Sequence, residues 1–293
     1  SWASLFLARN IDVVVVDSCP DSEENLNRFT AAAWPHLRSL GLASDLAPRK
    51  ISFSSTIADG CLQADFVQES VPDRIETKRA VLKEIESTVD SDVVISSSSS
   101  SLMASDIQEN AEYPERILVG HPMNPPHLIP MVELVSGRQT SEQTMIAAES
   151  FYQRMNRVTI RVEKEMVGHL ANRLTSALYR EAVHIVAEGV ASVTDVDKAI
   201  SYGPGMRWAL LGPHLIYHLG GGDGGYRSYL DHLGPTQEAR WKEHGMTQLT
   251  EKVKMLLVSG VEMELKQQDE TTLVKRRDEA LVDIFKLKKK YGF

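Results

Sequence analysis

The first half of the chain alternates short apolar runs with amphipathic stretches, and this alternation restricts the possible folds more than any other feature. The β-branched run from Ile11 to Val16, interrupted only by Asp12, is typical of a buried parallel strand. Later segments repeat the pattern, with strands predicted at 65–68, 92–96, 117–119, 131–135 and 158–162, and helices at 21–42, 73–86, 102–112 and from 141. Pro35 must kink or divide the first of these helices. The pattern predicts an α/β domain with a doubly wound sheet.

The character of the chain changes near Met166. One long helical pattern covers Val167 to Gly189, a capped helix is predicted at Thr194–Ser201, and the remainder combines glycine-rich loops with two charged helices. We therefore predict two domains, an α/β domain at 1–164 and an all-helical domain at 165–293.

Composition excludes several classes of partner. Acidic residues outnumber Lys plus Arg by 40 to 32, giving a net charge of −8 that disfavours a nucleic-acid partner. No apolar run approaches the ~18 residues of a membrane span. The segment Ser1–Asn10 has no basic n-region, so no secretory signal is predicted. The only two cysteines, Cys19 and Cys61, suit a reducing compartment, and we expect a cytoplasmic protein.

Asp17 ends the first predicted strand. In dinucleotide-binding folds an acidic residue at such a strand end binds the adenine ribose, about 20 residues after a glycine-rich phosphate loop. That loop is missing here, since Ser1 falls on what would already be the first helix. Either the sequence is a piece of a longer chain or the phosphate cradle is lost; taken alone, Asp17 fits a turn residue equally well.

Two polar segments follow predicted strands, where ligands bind in open α/β sheets. The serine run Ser96–Ser101 fits a flexible linker or a set of hydroxyls that bind a substrate or a nicotinamide. In the segment Gly120–His127, three prolines stiffen the backbone around His121. His121 is a candidate general base, with Glu133 on the next strand as its orienting acid, although a hydrogen-bonded loop histidine is the simpler interpretation of that pair alone.

The second half offers no clear metal or phosphate site. His214 and His218 stand four apart on one predicted helix face, but no third ligand is evident, so no metal is predicted. The glycines from Gly220 to Gly225 lack the Lys and Ser/Thr of a phosphate-binding loop and fit a flexible loop.

Taken together, an ordered series of short motifs resembles the 3-hydroxyacyl-CoA dehydrogenase superfamily, and within it the branch that contains L-gulonate 3-dehydrogenase (lambda-crystallin) and L-carnitine dehydrogenase. The resemblance runs from Ser1 to about Gly234. The motifs are Ser1–Ala3, Gln68–Pro72, Lys78–Arg79, Ser99–Leu102, His121–Pro126, Val132–Val135, Asn172–Leu174 and Gly205–Ala209. The region from Arg49 to Asp65 is short for the family's usual strand and helix.

The resemblance implies a Rossmann-type N-terminal domain, NAD as cofactor, and a role for each matching residue. His121 is implied to be the acid/base, Glu133 its charge partner, and Ser100 and Asn172 the groups that stabilise the substrate oxygen. Cofactor contacts fall on Asp17, Glu69, Lys78 and Asn124. A carboxylate at position 17 favours NAD over NADP, because it would repel a 2′-phosphate.

The implied reaction is oxidation of a 3-hydroxyl, with His121 taking the proton while hydride leaves for the nicotinamide. Arg207 and Trp208 lie where acyl-CoA members carry a proline- and glycine-rich segment. Arg207 could bind a free carboxylate of the substrate, and Trp208 could face a quaternary ammonium group. The alternative is that Arg207 forms a structural salt bridge and Trp208 packs in the core. A small free 3-hydroxy acid, gulonate- or carnitine-like, is therefore expected. The resemblance also implies a homodimer formed through the helical domain. The alternatives are a 3-hydroxyacyl-CoA substrate, or a non-redox or binding descendant.

Overall fold

The structure, a computed structural model, describes residues 1–43, 51–266 and 269–293. It divides the chain into two compact units, Ser1–Arg173 and Leu174–Phe293. The first is an α/β unit and the second is helical, which confirms the predicted fold class. The division falls later than the predicted boundary at 164/165, because backbone groups of Leu170 and Ala171 are hydrogen-bonded to Glu133 of the first unit.

The strands form two sheets. Strands β1 and β2 pair with each other in parallel, and the other five form a sheet in the order β3-β4-β5-β6-β7. All its pairings are parallel except the antiparallel pairing of β5 with β6. The strand bounds are β1 Val14–Val16, β2 Ser52–Ser54, β3 Phe66–Glu69, β4 Val94–Ser97, β5 Ile117–Pro122, β6 Met131–Ser136 and β7 Val158–Val162.

Helices connect these strands and make up the second unit. The bounds before the division are α1 Trp2–Ala8, α2 Ser22–Ser39, α3 Ile57–Cys61, α4 Ile75–Glu86, α5 Ala104–Ile107 and α6 Glu142–Arg154. Those that follow are α7 Ala171–Ala187, α8 Val193–Ser201, α9 Pro204–Trp208, α10 Pro213–Gly220, α11 Gly225–Glu243, α12 Glu251–Leu265 and α13 Glu270–Tyr291. Across the three described segments, no helix has the length and apolar character needed to cross a membrane.

The central strands β4, β5 and β6 of the five-stranded sheet are buried on both faces. Leu118 and Leu134 pack with α1, α2 and α6 residues such as Leu5, Leu37 and Tyr152. Ile117 and Val119, whose side chains point the other way, pack with residues of α4 and α5. Helix layers on both faces explain why the central strands are continuous apolar runs instead of alternating ones.

Two predicted elements are wrong in extent or burial. The run Ile11–Val16 contains only the three-residue strand β1, and Val14 is 49% exposed because β1 pairs only with β2 in the described chain. The helix predicted at Leu102–Glu112 is limited to α5. Gln108 ends it, since its side-chain amide donates to the Pro114 and Ile117 carbonyls.

Three further differences concern helix ends and short elements. The pattern Val167–Gly189 yields a helix only from Ala171, because Gly168 and His169 have left-handed φ values of 77° and 50°. Helix α2 contains Pro35 without being divided. Residues 51–65 do form a strand and a helix, β2 and α3, whereas Arg49 and Lys50 lie outside the described residues.

Candidate active site

A cavity of about 2430 Å³ lies within the first unit, and residues that end or follow four parallel strands contribute to its lining. The carboxyl ends of parallel strands are where α/β sheets bind ligands. Five of the predicted site residues line this one cavity, namely Asp17, Glu69, Ser100, His121 and Asn124. Lys78, Glu133 and Asn172 do not line it, but each is hydrogen-bonded to a residue that does.

The strand register pairs His121 with Glu133. His121 on β5 stands directly opposite Glu133 on β6, and its Nδ1 lies 2.7 Å from the Glu133 Oε2. Both side chains are buried, His121 being 5% exposed and Glu133 0%. Because a carboxylate only accepts, Nδ1 carries the hydrogen and Nε2 of the neutral ring remains a base. The twelve-residue spacing therefore corresponds to a direct contact.

Glu133 is held as a carboxylate by three donors. Its Oε1 accepts hydrogen bonds of 2.8 Å from the backbone N–H groups of Leu170 and Ala171, in addition to the bond from His121 at Oε2. Burial by itself raises the pKa of Glu133, but these hydrogen bonds and the nearby His121 outweigh it, and the pKa is lowered. A fixed negative charge at this position stabilises His121 once it has gained a proton.

The serine loop after β4 is held by Asp73. Asp73 Oδ2 accepts from the Ser100 backbone N–H at 2.9 Å and from the Ser100 hydroxyl at 2.8 Å. Burial by itself raises the pKa of Asp73. The hydrogen bonds from Ser100 and the charge of Lys78 outweigh this effect, so the pKa is lowered and the carboxyl is ionised at neutral pH. On the other side, Asn172 Nδ2 donates to the Ser100 carbonyl at 3.3 Å. The Ser100 hydroxyl hydrogen is thus used within the protein, and its oxygen remains able to accept.

Lys78 is buried, with all its polar contacts inside the protein. Its Nζ lies 3.0 Å from both Glu69 carboxylate oxygens and from the Val71 carbonyl, and 3.4 Å from Asp73 Oδ1. The Lys78 side chain is 0% exposed. Ser97 also donates to Glu69. This cluster fixes the loop after β3 to helix α4, and the predicted cofactor contacts at Glu69 and Lys78 stay predictions.

The remaining predicted residues differ in their surroundings. Asp17 is exposed after β1 and accepts from the Cys19 backbone N–H at 2.8 Å. Asn124 is exposed in the loop that follows β5. Arg207 and Trp208 lie in the second unit on α9, where Trp208 is 38% exposed and Arg207 makes no ion pair with any residue of the described segments. Within the part of the chain that the structure describes, Arg207 therefore forms no salt bridge and Trp208 is not a core residue, and their predicted contacts with a substrate stay predictions.

The comparisons with known proteins agree with this geometry. Residues 1–166 match the family model of the 3-hydroxyacyl-CoA dehydrogenase NAD-binding domain, and residues 168–256 match that of its C-terminal domain. The chain belongs to the 3-hydroxyacyl-CoA dehydrogenase family. It is accordingly an NAD-dependent oxidoreductase with a Rossmann-type domain and a helical C-terminal domain.

Similar members of the family carry more specific names. The chain is 39% identical to an L-carnitine dehydrogenase of Bacillus cereus over 99% of this chain and 89% of the relative. It is 38% identical to an L-carnitine dehydrogenase of Streptomyces coelicolor, over 99% and 92%. Among solved structures, 5-formyl-3-hydroxy-2-methylpyridine 4-carboxylic acid 5-dehydrogenase, an NAD⁺-dependent dismutase, is similar with a TM-score of 0.79 and 26% identity, covering 98% of this chain and 94% of that chain.

The described residues fit NAD. The cavity is larger than the ~300–1,000 Å³ of ordinary small-molecule sites, so it has room for an extended cofactor. The Asp17 carboxylate at the end of β1 is an acceptor of the kind that binds ribose hydroxyls. His121, the candidate base, lines the same cavity.

Sequence analysis missed three residues that build the site. Asp73 was treated as a helix start, although Pro72-Asp73 is a turn signal. His169 was placed inside a helix, although the preceding Gly168 weakens that prediction. Arg157, which is 4% exposed, donates to the carbonyls of Pro126 and Ile129 and so holds the loop that carries Asn124. No sequence signal marks Arg157.

Proposed function

We propose that this enzyme oxidises the 3-hydroxyl group of a small free 3-hydroxy acid, and that the acid is L-carnitine or a close analogue. The observation that carries the proposal is the buried His121–Glu133 pair, whose histidine lines the cavity while its carboxylate is held by two backbone N–H groups. Such a pair is a general base with its charge partner.

In this proposal His121 Nε2 removes the hydroxyl proton of the substrate. The imidazolium that forms is stabilised by the Glu133 carboxylate 2.7 Å from Nδ1. Bound NAD supplies the hydride acceptor. In the return direction, the same imidazolium gives the proton back to the carbonyl oxygen, so one residue serves as base and acid.

Ser100 and Asn172 are proposed to position the substrate oxygen. The Ser100 hydroxyl donates to Asp73 in the structure; in this proposal it turns to donate to the substrate oxygen, whose own hydrogen goes to His121. Asn172 Nδ2 uses one N–H on the Ser100 carbonyl and has a second one left. Asp17, Glu69, Lys78 and Asn124 are proposed as the cofactor-binding set, with Glu69 and Lys78 acting by fixing their loop.

The substrate proposal relies on chemistry at α9. L-Carnitine carries a carboxylate and a quaternary ammonium, and Arg207 and Trp208 offer a guanidinium and an aromatic face for these two groups. Both side chains are partly or fully accessible on α9. The names of the similar Bacillus and Streptomyces proteins support the same substrate.

The alternative is a 3-hydroxyacyl-CoA substrate, which the family description favours. A crystal structure of (S)-3-hydroxybutyryl-CoA dehydrogenase from Ralstonia eutropha is similar, with a TM-score of 0.61 and 25% identity over 68% of this chain and 71% of that chain. An acyl-CoA would add phosphate charges to a protein of net charge −8.

The test is a substrate panel measured as NADH formation at fixed protein concentration. We expect kcat/KM to be highest with L-carnitine, lower with L-gulonate and lowest with 3-hydroxybutyryl-CoA, and NAD to be preferred to NADP. His121→Gln is expected to lose about 10²–10⁴-fold in kcat while NADH still binds, as followed by nicotinamide fluorescence. A higher kcat/KM with the acyl-CoA would replace the substrate proposal, and wild-type activity in His121→Gln would refute the proton path.

We also propose that the active protein is a homodimer formed through the second unit. Helix α12 has 15 residues, and only Gly260 among them is buried. Exposed apolar side chains on this helix include Met255, Val258 and Met263. Val258→Glu is expected to give monomers in sedimentation analysis, whereas Ile146→Glu, an equally exposed position in the first unit, leaves the dimer intact. A monomeric wild type would contradict the proposal.

A further inference from the structure

A second histidine lies beside the His121–Glu133 pair and has no part in the proton path. The His169 side chain is fully buried, and its ring centre is 5.2 Å from that of His121. Its Nε2 is 2.9 Å from the carbonyl oxygen of Ser99. A carbonyl only accepts, so the hydrogen is on Nε2. Nδ1 is buried without a hydrogen-bond partner among the residues that the structure describes.

We propose that His169 is a positioning residue, whose Nε2–H holds the Ser99 carbonyl and thereby fixes Ser100 relative to His121 and Glu133. The inference rests on the proposed function, because it gives His169 a part in the same reaction. It does not make His169 a proton acceptor, since among the described residues the ring is hydrogen-bonded only to the Ser99 carbonyl and does not line the cavity.

The short segment from His169 to Asn172 is hydrogen-bonded both to Glu133 and to the serine loop at Ser99 and Ser100. The Leu170 and Ala171 backbone N–H groups donate to Glu133, and the Asn172 side chain donates to the Ser100 carbonyl. His169 adds the bond to Ser99. One stretch of backbone therefore sets the distance between the general base and the serine that meets the substrate oxygen.

The backbone conformation of His169 is unusual for a residue with a side chain. Its φ of 50° lies in the left-handed region, which non-glycine residues seldom adopt. The adjacent Gly168 has φ 77°, so the chain turns sharply just before α7. This turn directs the His169 ring toward Ser99 while the next two N–H groups point toward Glu133, and strained conformations of this kind cluster at functional sites.

The surroundings keep His169 neutral. Burial lowers its pKa, and a positive His121 lowers it further, whereas the Ser99 carbonyl, Glu133 and Asp73 act in the opposite direction. A neutral His169 remains a one-hydrogen donor to Ser99 and does not add a second positive charge when His121 is protonated. The geometry and the charges thus agree on a fixed donor.

Two variants distinguish the contribution of the His169 N–H donor from that of its ring. His169→Gln places an amide N–H where Nε2 stands, whereas His169→Phe keeps a flat ring beside His121 without a donor. We expect His169→Phe to lower kcat about 10- to 100-fold through misplacement of Ser100, and His169→Gln to stay within about threefold of wild type. Substrate KM and NADH affinity are measured in parallel, with circular dichroism and Tm to establish folding.

Two results would overturn the proposal. One is a folded His169→Phe with wild-type kcat; the other is a folded His169→Gln as slow as the Phe variant, which would mean that an N–H donor at this position does not sustain the rate. Equal losses of Tm and activity in both variants would likewise point to a purely structural residue and overturn it.

A measurement without turnover distinguishes this inference from the proposed function. In ¹⁵N-histidine spectra of the full chain, the signal lost in His169→Gln is expected to be a neutral Nε2–H ring from pH 7 to 8, because burial lowers the pKa of His169. If wild type oxidises no 3-hydroxy acid, the proposed function fails, and that neutral ring still supports the anchor on Ser99. A ring that protonates in this range, or one with hydrogen on Nδ1, overturns the anchor whatever the activity.

Discussion

The two units of the chain differ in whether they bury charged side chains. The first unit buries charged groups, including Lys78, Glu69, Glu133 and Arg157, and surrounds them with a continuous apolar core. In the described part of the second unit, the buried hydrophobic side chains are Val183, Val186, Tyr229 and Val282, and no charged side chain is buried. Burying a charge is costly unless it is paired or hydrogen-bonded, and Lys78, Glu69 and Glu133 are each held in this way.

The difference separates two tasks. In the first unit the buried Glu133 carboxylate has a fixed position beside His121, where it would stabilise the charge that develops in the proposed reaction. In the second unit the apolar surface of α12 and its neighbours remains available for contact with another surface. Variants in both units test this contrast.

The largest effect is expected from Glu133→Gln. The substituted amide still meets the Leu170 and Ala171 N–H groups but brings no negative charge, and its own N–H opposes the Nδ1–H of His121. We expect kcat to fall about 10²–10⁴-fold at unchanged NADH affinity. Glu149→Gln, which breaks the Arg161 ion pair elsewhere in the same unit, is the control and should keep its activity. Comparable rates in the two variants would contradict the role of Glu133.

Lys78→Met is expected to be the most destabilising change. It leaves Glu69 buried without its cation, a loss of about 3–5 kcal/mol in the free energy of unfolding. Lys254→Met removes an exposed partner of Glu251 in the second unit and should cost about 0–1 kcal/mol. Urea unfolding followed by tryptophan fluorescence measures both. Equal losses would show that burial of the ion pair does not distinguish the units.

Asp73→Asn tests how the serine loop is held. The amide oxygen still accepts from Ser100, but the charge facing Lys78 is lost and the two hydrogen bonds weaken. We expect kcat/KM to fall about tenfold, as for the loss of one charge-assisted bond. Asp231→Asn, at an exposed ion pair with Arg227, serves as the control in the second unit. An unchanged kcat/KM would mean that Ser100 is positioned without Asp73.

The smallest effect is expected from Asp197→Asn in the second unit, and this substitution should stabilise the protein, unlike the others. Burial and the charge of Glu264 raise the pKa of Asp197, so its ionised form opposes folding above that pKa. Asp197→Asn should therefore raise Tm by about 1–3 °C at pH 7, a small gain because the group is largely exposed. The gain should vanish below the ordinary Asp pKa near 3.8, where both states are protonated. Thermal melts across this range decide; a lower Tm at pH 7 would contradict the sign.

Much of the fold and part of the site were predictable from the sequence. Apolar runs and their order predict the sheet, and the residues already nominate His121 and Glu133 as a pair, which the resemblance then favours over a loop histidine. The two backbone donors to Glu133 were not predictable, because the N–H groups of Leu170 and Ala171 lie in a segment whose pattern predicts a helix interior. Their exposure to Glu133 depends on the left-handed turn at Gly168 and His169, which is a tertiary effect.

The partners of individual hydrogen bonds could not be predicted from the sequence either. Ser100 was expected to stabilise charge on the substrate oxygen, yet its hydroxyl hydrogen is given to Asp73, a residue 27 positions away. Residue type and order do not reveal which of two acceptors a serine chooses. Likewise, Arg157 reads as a surface charge before a strand, and only packing shows that it supports a proline-rich loop.

The pairing of β5 with β6 has a consequence for changing the specificity of this enzyme. The ladder alone sets His121 opposite Glu133, so the connecting segment 123–130 takes no part in holding them together. That segment can be exchanged as a cassette in a library, with the reactive pair left in place. Each replacement loop must keep Asn124, which is proposed to bind the cofactor, and must present carbonyl groups to Arg157, as Pro126 and Ile129 do in the natural chain.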